Sequence, residues 1–328
     1  MSSERYLVTG AFGCVGAWTV KNLVHEGFPV SAYDSATDPY RLRLIMSEKE
    51  LSRVTFITGD IADSDAFNRA VVDNGITHII HLAALQVPFV RADPLKGARV
   101  NVLGTTVVFE AAKRHQNQIK GLAYASSIAV YGATHKYPPG LLRADALPNP
   151  PVLYGVFKRT NEETARIYWE ENGVHSIGLR PHTVYGLGRD QGLTSIPTKA
   201  MLAAAVGRKC HISFGGKLVL QFADDVAKAF IRAVKTTKKA APVYNLGGNN
   251  TNVSAIIHAI ESELPDVKGK ITFSGDALPF PGMVDGQPFN DAVGKINWIP
   301  LSNGIKQTIE SFRRLIKENK IDVEKNLM

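Results

Sequence analysis

Tyr154 and Lys158 stand four residues apart in a stretch, 153–172, whose pattern predicts a helix stopped by Gly173. On a helix that spacing puts both side chains on one face. A phenol, with an ordinary pKa of about 10, is a poor base at neutral pH. An ammonium one turn away stabilises the phenolate and lowers that pKa, so the pair is fitted to take a proton from a substrate hydroxyl. A lone Tyr-x-x-x-Lys is also a common surface pairing on helices, so the rest of the chain has to decide between the two readings. No metal site is predicted, because the nine histidines are scattered without ligand spacing.

The elements that position such a pair follow from the hydrophobic rhythm. Apolar runs at 5–8, 29–33, 54–57, 78–82 and 120–125 alternate with helical patterns at 17–25, 66–74 and 103–115. Another strand is predicted at 176–180. Strands alternating with helices of about 10–15 residues predict an α/β fold with a doubly wound parallel sheet. After Pro181 the rhythm breaks. Gly, Pro and short segments run to Gly216, and one more α/β piece returns at 224–234 and 243–246. Helices at 253–264 and 305–319 flank a Pro-rich stretch, 278–288, and the polar tail after Lys320 is expected to fray. The expected division is a nucleotide-binding domain, residues 1–180 plus about 224–248, and a smaller interleaved C-terminal substrate domain, about 181–223 plus 249–328.

The first strand runs into Thr9-Gly10-Ala11-Phe12-Gly13-Cys14-Val15-Gly16 and then into a helix. Glycines there let the backbone approach a pyrophosphate, and a helix N-terminus offers free N–H groups and the positive end of its dipole. No Gly-Lys-Ser/Thr follows, which disfavours a phosphoryl-transfer loop. Asp34 ends the second strand, 24 residues after Gly10. A carboxylate at that place accepts from the adenosine ribose hydroxyls and repels a 2′-phosphate, which favours NAD over NADP. A solvated strand-end Asp is the alternative, and Arg41 and Arg43 keep NADP as a minor option.

Composition narrows the class. The chain has 328 residues, 45% hydrophobic and 21% charged, which excludes disorder and allows about two domains. No run reaches the roughly 18 apolar residues of a membrane span, and the N-terminus has no apolar signal core. Two cysteines, Cys14 and Cys210, make no disulfide framework, so a cytoplasmic address is the default. The net charge of +8 leaves three explanations: a nucleic-acid partner, an anionic substrate, or neither.

Taken in order, Thr9-Gly10-x-x-Gly13-x-x-Gly16, Gly59-Asp60-Ile61, His81-Leu82-Ala83-Ala84 and Asn101-Val102-x-Gly104-Thr105 resemble the extended short-chain dehydrogenase/reductases. More narrowly, they resemble the NAD-dependent epimerase/dehydratase group typified by UDP-galactose 4-epimerase. The resemblance covers nearly the whole chain and implies a Rossmann-type sheet with an interleaved substrate domain. It implies that Gly10, Phe12, Gly13, Cys14, Val15, Gly16, Asp34 and Asn101 contact NAD. Asp60 and Ile61 would hold the adenine edge, with Leu82, Ala83 and Ala84 lining the cofactor. His81 reads as a buried strand histidine rather than a catalytic one.

By the same resemblance, Tyr124-Ala125-Ser126-Ser127-Ile128-Ala129 is the strand-end serine motif. Ser127 would bind the substrate oxygen and Ser126 would neighbour the nicotinamide. Tyr154 becomes the general base, Lys158 holds the nicotinamide ribose, and Pro181 belongs to the segment that fixes the carboxamide. The substrate positions implied are Gln86, Ser127, Tyr154, Thr183 and Leu218. Phe157 stands where the family has a small residue before the lysine. The family's dimers imply a homodimer through helices near 103–115 and 153–171.

The C-terminal half departs from the nucleotide-sugar pattern. Two arginines that pair with the substrate diphosphate in sugar-nucleotide members fall on Leu218 and Phe280, and the usual Asn falls on Thr183. Diphosphate recognition favours planar guanidinium. Losing two charge-assisted contacts, at ~1.5–3 kcal/mol each, weakens affinity by roughly two to four decades. Lys217, Lys199 and Arg189 are possible substitutes.

Three functions follow from the sequence. The first is NAD-dependent hydride transfer at a hydroxyl or keto carbon of a small sugar, sugar acid or similar compound. The second is an NDP-sugar epimerase that retains its NAD; a dehydratase is the weaker half, since Ile128-Ala129 replaces the expected acidic pair beside Ser127. The third is an NAD-sensing or RNA-binding relative that uses the basic surface. Its densest cationic run, 235–239, is short and sits at a predicted helix end, so nucleic acid and membrane are not expected as partners.

Overall fold

The computed structural model describes residues 4–237 and 239–327; residues 1–3, Lys238 of the basic run, and Met328 lie outside the described residues. The strands are β1 (Tyr6–Thr9), β2 (Val30–Asp34), β3 (Val54–Thr58), β4 (His78–His81), β5 (Gly121–Ala125) and β6 (Ile177–Arg180), then β7 (Thr183–Tyr185), β8 (Cys210–Ile212), β9 (Lys217–Phe222), β10 (Val243–Asn245), β11 (Asn249–Asn252) and β12 (Ile271–Phe273). Seven of them form one sheet in the order β10-β6-β5-β4-β1-β2-β3, parallel throughout. The order reverses between β1 and β4, so a crevice opens at the C-terminal ends of those strands.

Within β1 the side chains alternate. Tyr6 and Val8 enter one apolar cluster and Leu7 enters another, across the sheet. The first cluster does not stop at the sheet. It runs on through Leu218 and Leu220 of β9 to Ile256 and Phe312, so the chain after β6 shares one continuous core with β1. There β7, β9 and β11 form a three-stranded sheet, before and after the helix Ala223–Val234 returns to pack on the helix Cys14–His25.

Two regions differ from expectation. The stretch expected to be short irregular segments contains the ten-residue helix Ile196–Ala205, buried on nearly every side. Such a helix has no polar face and therefore no 3.6-residue signature. The tail does not fray as expected. Ile321 is buried, and a short helix, Val323–Leu327, is tied down by a hydrogen bond from Asn326 Nδ2 to Tyr40 Oη at 3.0 Å.

Two buried polar networks fix the sheet edge that carries the chemistry. In the first, Thr9 Oγ1 accepts from the Leu82 and Ala83 amides, each at 3.2 Å, so its proton goes to His81 Nδ1 at 2.7 Å. His81 Nε2–H then donates to Thr105 Oγ1 at 3.1 Å, and Thr105 donates to the Asn101 carbonyl at 2.8 Å. The chain of donors requires a neutral His81, as does its burial, which pushes the imidazole down to about 3. His81 is thus a buried structural residue.

In the second, Glu162 is 3% exposed and lies four residues beyond Lys158 on the helix Leu153–Asn172. Its carboxylate accepts from Ser126 Oγ (2.5 Å), from Arg180 Nε and Nη2 (2.6 and 2.7 Å), and from Arg159 (3.1 Å). The pair clamps that helix to the ends of β5 and β6. Gly173, at φ +69°, ends the helix, with backbone N–H groups capping the Tyr168 and Trp169 carbonyls.

Both networks make measurable demands. His81 binds a proton in the unfolded chain near pH 6.5 but in the folded protein only near 3, so stability is full above 6.5 and falls with pH below it. Urea denaturation should register a loss of about 2 kcal/mol from His81 by pH 5, and an H81N variant should flatten that slope; an unchanged slope refutes the assignment. Glu162→Ala leaves the Arg180 guanidinium buried without its charge partner, which should cost about 3–5 kcal/mol in the same measurement. A cost below 1 kcal/mol would show that the clamp is dispensable.

Candidate active site

A cleft of about 570 Å³ opens at the β1–β4 reversal, and its lining runs from the glycine loop to Phe280. The glycine loop is shaped for close approach. Gly10 sits at φ +63°, and a Cβ there would lie 2.7 Å from the Ala83 backbone; a Cβ on Gly16 would lie 2.1 Å from the Gly10 carbonyl oxygen. The helix Cys14–His25 has Gly13 at its N-cap, no side-chain cap and no acidic residue in its first turn, so its amides are free for an anion. Phe12 N donates to Asp34 Oδ2 at 2.9 Å, and Ala36 N to Asp34 Oδ1 at 3.0 Å, which holds the carboxylate at the lip of the cleft. Asp60 is fixed by the Ala62 amide and Arg99, which hold its carboxyl below the usual range.

Further along, β5 ends in Ser126 and Ser127. Ser127 caps a single turn, Ile128–Val130, by accepting from Ala129 N at 3.1 Å. Its hydroxyl also meets the Tyr154 phenol, a contact that favours the phenolate. Lys158 is 3% exposed, donates from Nζ to the Ala125 carbonyl at 2.6 Å, and lies 5.8 Å from the Tyr154 ring centroid. Burial lowers the Lys158 ammonium to about 8, opposed by the Glu162 charge.

The Tyr154 phenol is raised above its ordinary pKa by burial, while the Ser127 hydrogen bond and the charge of Arg189 pull it down. In the protein alone, Ser127 and Arg189 supply the opposing contributions and burial outweighs them.

The cleft brings together Gly10, Phe12, Gly13, Cys14, Val15, Gly16, Asp34, Asp60, Ile61, Leu82, Ala83, Ala84, Gln86, Ser126, Ser127, Tyr154, Lys158 and Pro181, all expected there. Three expected residues lie outside it. Asn101 is fully buried and clamps the Leu85 backbone, accepting from its amide at 2.7 Å and donating to its carbonyl at 2.9 Å, so it shapes the loop that lines the cleft. Leu218 is fully buried in the shared core, and Thr183 is fully buried in β7, neither facing the cleft. Ser126 lines the cleft, but its hydroxyl is committed to Glu162.

Sequence reasoning passed over part of the substrate end. His182 donates from Nε2 to the Pro281 carbonyl at 2.7 Å and meets the Phe280 ring edge-on at 5.4 Å, which holds Phe280 in the wall. Burial pushes His182 down to about 4, so it is neutral. Arg189 and Thr194, from the loop after β7, complete the lining. The Tyr154-Lys158-Glu162 spacing, i, i+4 and i+8, was the visible signal for the Glu162 clamp. The contact between His182 and Phe280, 98 residues apart, left no local trace. Among the described residues no group of three or more His, Cys, Asp or Glu converges on a metal position, and no helix is long and apolar enough to cross a membrane.

Similarity to known proteins extends over most of the chain. UDP-glucuronate 4-epimerase 4 of Arabidopsis thaliana is 30% identical over 284 residues, which span 80% of this chain and 64% of that protein. UDP-glucose 4-epimerase of Mycolicibacterium smegmatis is 28% identical over 94% of this chain and 98% of that one. A monomeric L-threonine 3-dehydrogenase from a metagenome shares the fold, with a TM-score of 0.81 at 22% identity over 94% of this chain and 99% of its own. The family model described as the NAD dependent epimerase/dehydratase family matches residues 6–247. The chain therefore belongs to the NAD-dependent epimerase/dehydratase family of extended short-chain dehydrogenase/reductases, and is an NAD-dependent enzyme of that superfamily.

Proposed function

We propose that the protein oxidises a hydroxyl-bearing carbon of a small substrate, a sugar, sugar acid or similar compound, with Tyr154 taking the hydroxyl proton. The observation that carries this reading is the meeting of Ser127, Tyr154 and Lys158 in a cleft whose substrate wall is Phe280. At the two positions where a diphosphate would want guanidinium, one residue is this apolar ring and the other, Leu218, is buried away from the cleft.

The residues present fit NAD. A Cβ at Gly10 or Gly16 would collide with neighbouring backbone, so the loop keeps its tight path only with glycine, and the uncapped helix behind it suits a pyrophosphate. Asp34 would take the adenosine ribose, Asp60 and Ile61 the adenine, Leu82–Ala84 and Pro181 the nicotinamide half, and Lys158 its ribose. When bound, NAD supplies the hydride acceptor. Arg41 is committed to Asp190 and the Phe12 carbonyl, and Arg43 to Asp38, which leaves neither free for a 2′-phosphate and supports NAD over NADP.

The chain's own part of the reaction is proton handling. Ser127 donates toward the substrate oxygen as negative charge develops on it. Tyr154 accepts the departing proton, and the Lys158 ammonium beside it favours the phenolate. Phe280, Ile128 and Val184 keep that end apolar.

A second reading, an NDP-sugar epimerase that keeps its NAD, has one structural observation in its favour. The loop after β7 is strapped over the glycine loop: Arg41 ties Asp190 to the Phe12 carbonyl, and the Leu187 carbonyl takes the Trp18 indole N–H at 3.1 Å. Such a strap would slow cofactor release. The 4-epimerase relatives point the same way.

The two are separated by adding NAD and a panel of sugars, uronates and hydroxy acids and following NADH absorbance. Stoichiometric NADH is expected with at least one, at less than a tenth of that rate with NADP, and Y154F should lower kcat about 10²–10⁴-fold. No NADH, with UDP-sugars interconverted, would overturn the proposal in favour of the epimerase. We also propose a homodimer through the helices 104–114 and 153–172, supported by the exposed Leu153, Val156 and Ile167 beside the exposed Leu103. Light scattering should give twice the chain mass for the wild type and a smaller species for V156E; a monomeric wild type disproves it.

A further inference from the structure

Among the described residues Arg189, at the substrate end, forms no ion pair. It sits in a loop bent by Gly186, Gly188 and Gly192 at φ +122°, +84° and +87°. Gly192 is required by more than its torsion, because a Cβ there would lie 2.1 Å from Gln86 Oε1. That space lets Gln86 Oε1 accept from Arg189 Nη1 at 3.2 Å, while Thr194 Oγ1 accepts from Nη2 at 2.8 Å. Both acceptors are neutral. A guanidinium has five N–H donors, and these two contacts orient it without balancing its charge. The Nε–H is shielded from solvent and has no partner.

The neighbouring carboxylate is already taken. Asp190 accepts from Arg41 Nε at 3.0 Å and Nη2 at 2.7 Å, and among the described residues no carboxylate forms an ion pair with Arg189. Desolvation of a charge is costly, and burial lowers the Arg189 pKa more than Asp190, already bound to Arg41, raises it. Its charge acts on both Cys14 in the glycine loop and Tyr154. An anion at this point would lie beside the reacting hydroxyl or beside the cofactor pyrophosphate. The pyrophosphate already has the free amides of the helix Cys14–His25. The rest of the substrate wall is apolar or neutral: Ile128, Ala129, Val184, His182 and Phe280. One planar fork in such a wall matches one planar single charge.

We propose that Arg189, oriented by Gln86 and Thr194, binds a carboxylate of the substrate, so that the substrate is a hydroxy acid or sugar acid oxidised close to its carboxylate. This rests on the small-substrate reading above and names the group that reading leaves open. It predicts binding before any turnover, which makes the two separable.

The test is calorimetry on NAD-saturated protein with matched pairs: D-glucuronate against D-glucose, and 3-hydroxybutyrate against 3-hydroxybutyramide. For at least one pair the carboxylate should bind ten- to 150-fold more tightly in the wild type. Arg189→Met should erase that preference while leaving the affinity for NAD within twofold, and Arg189→Lys, which keeps charge without the fork, should fall between. In the Met variant the pKa governing kcat/KM should move up, because the free enzyme loses the cation that favours the Tyr154 phenolate. The pKa governing kcat should move less, because the bound carboxylate already neutralises that cation. Equal binding within every pair, or a preference that survives Arg189→Met, overturns the proposal. A loss confined to NAD affinity also overturns it and assigns Arg189 to the pyrophosphate. Preferential acid binding without NADH formation would sustain this proposal and sink the oxidation reading.

Discussion

The site depends on keeping one ammonium charged inside the protein. Lys158 is buried, and among the described residues its one hydrogen bond is to the Ala125 carbonyl at the end of β5. Burial alone drives it toward neutrality, and a neutral amine would neither favour a phenolate nor donate as strongly to a ribose. Glu162, one helical turn on, opposes that fall. A bare carboxylate there would be as costly as a bare ammonium, and it is in turn held by Arg180, Arg159 and the Ser126 hydroxyl. Removing water from the catalytic lysine thus requires a charged layer behind it, which fastens the catalytic helix to two strand ends.

That arrangement also explains why the chain after β6 cannot be treated as a detachable piece. Leu218 and Leu220 from β9 enter the same apolar cluster as Tyr6 and Val8 of β1, and the helix Ala223–Val234 packs on the helix behind the glycine loop. The β7 loop is fastened to Trp18, whose indole N–H reaches the Leu187 carbonyl, and through Asp190 and Arg41 to the Phe12 carbonyl. Groups that would meet the substrate therefore keep their register to those that would meet the cofactor, as proton transfer over hydrogen-bond distances requires.

How much of this was legible in the sequence depended on the range of the interaction. Gly10, Gly13 and Gly16 announce their cradle because strand, turn and helix are adjacent in the chain. Tyr154 and Lys158 are visible because helical periodicity places them together. Where positions depended on tertiary contact, reading failed. Leu218 was set at the substrate by motif order, but a leucine on a strand buried from 218 to 222 is drawn to the core. Asn101 matched a cofactor position and instead clamps the Leu85 backbone. The helix Ile196–Ala205 was passed over because it is apolar all round, and the tail because its few apolar residues find partners far away in sequence.

The distribution of positive charge ties these observations together. A net charge of +8 says little by itself, since exposed cations, including those in surface ion pairs such as Arg43–Asp38 and Arg166–Glu170, carry small energetic weight. Within the cleft, position matters more than number. Arg41 is spent holding Asp190, and Lys158 is held behind the phenol, which leaves Arg189 beside Tyr154 for a ligand. Its charge assists Tyr154 in the free protein, and any anion it binds cancels that help at the moment the phenol is needed. A substrate held this way must rely on Ser127 and Lys158 for its proton transfer, which is the physical reason for keeping that ammonium buried but charged.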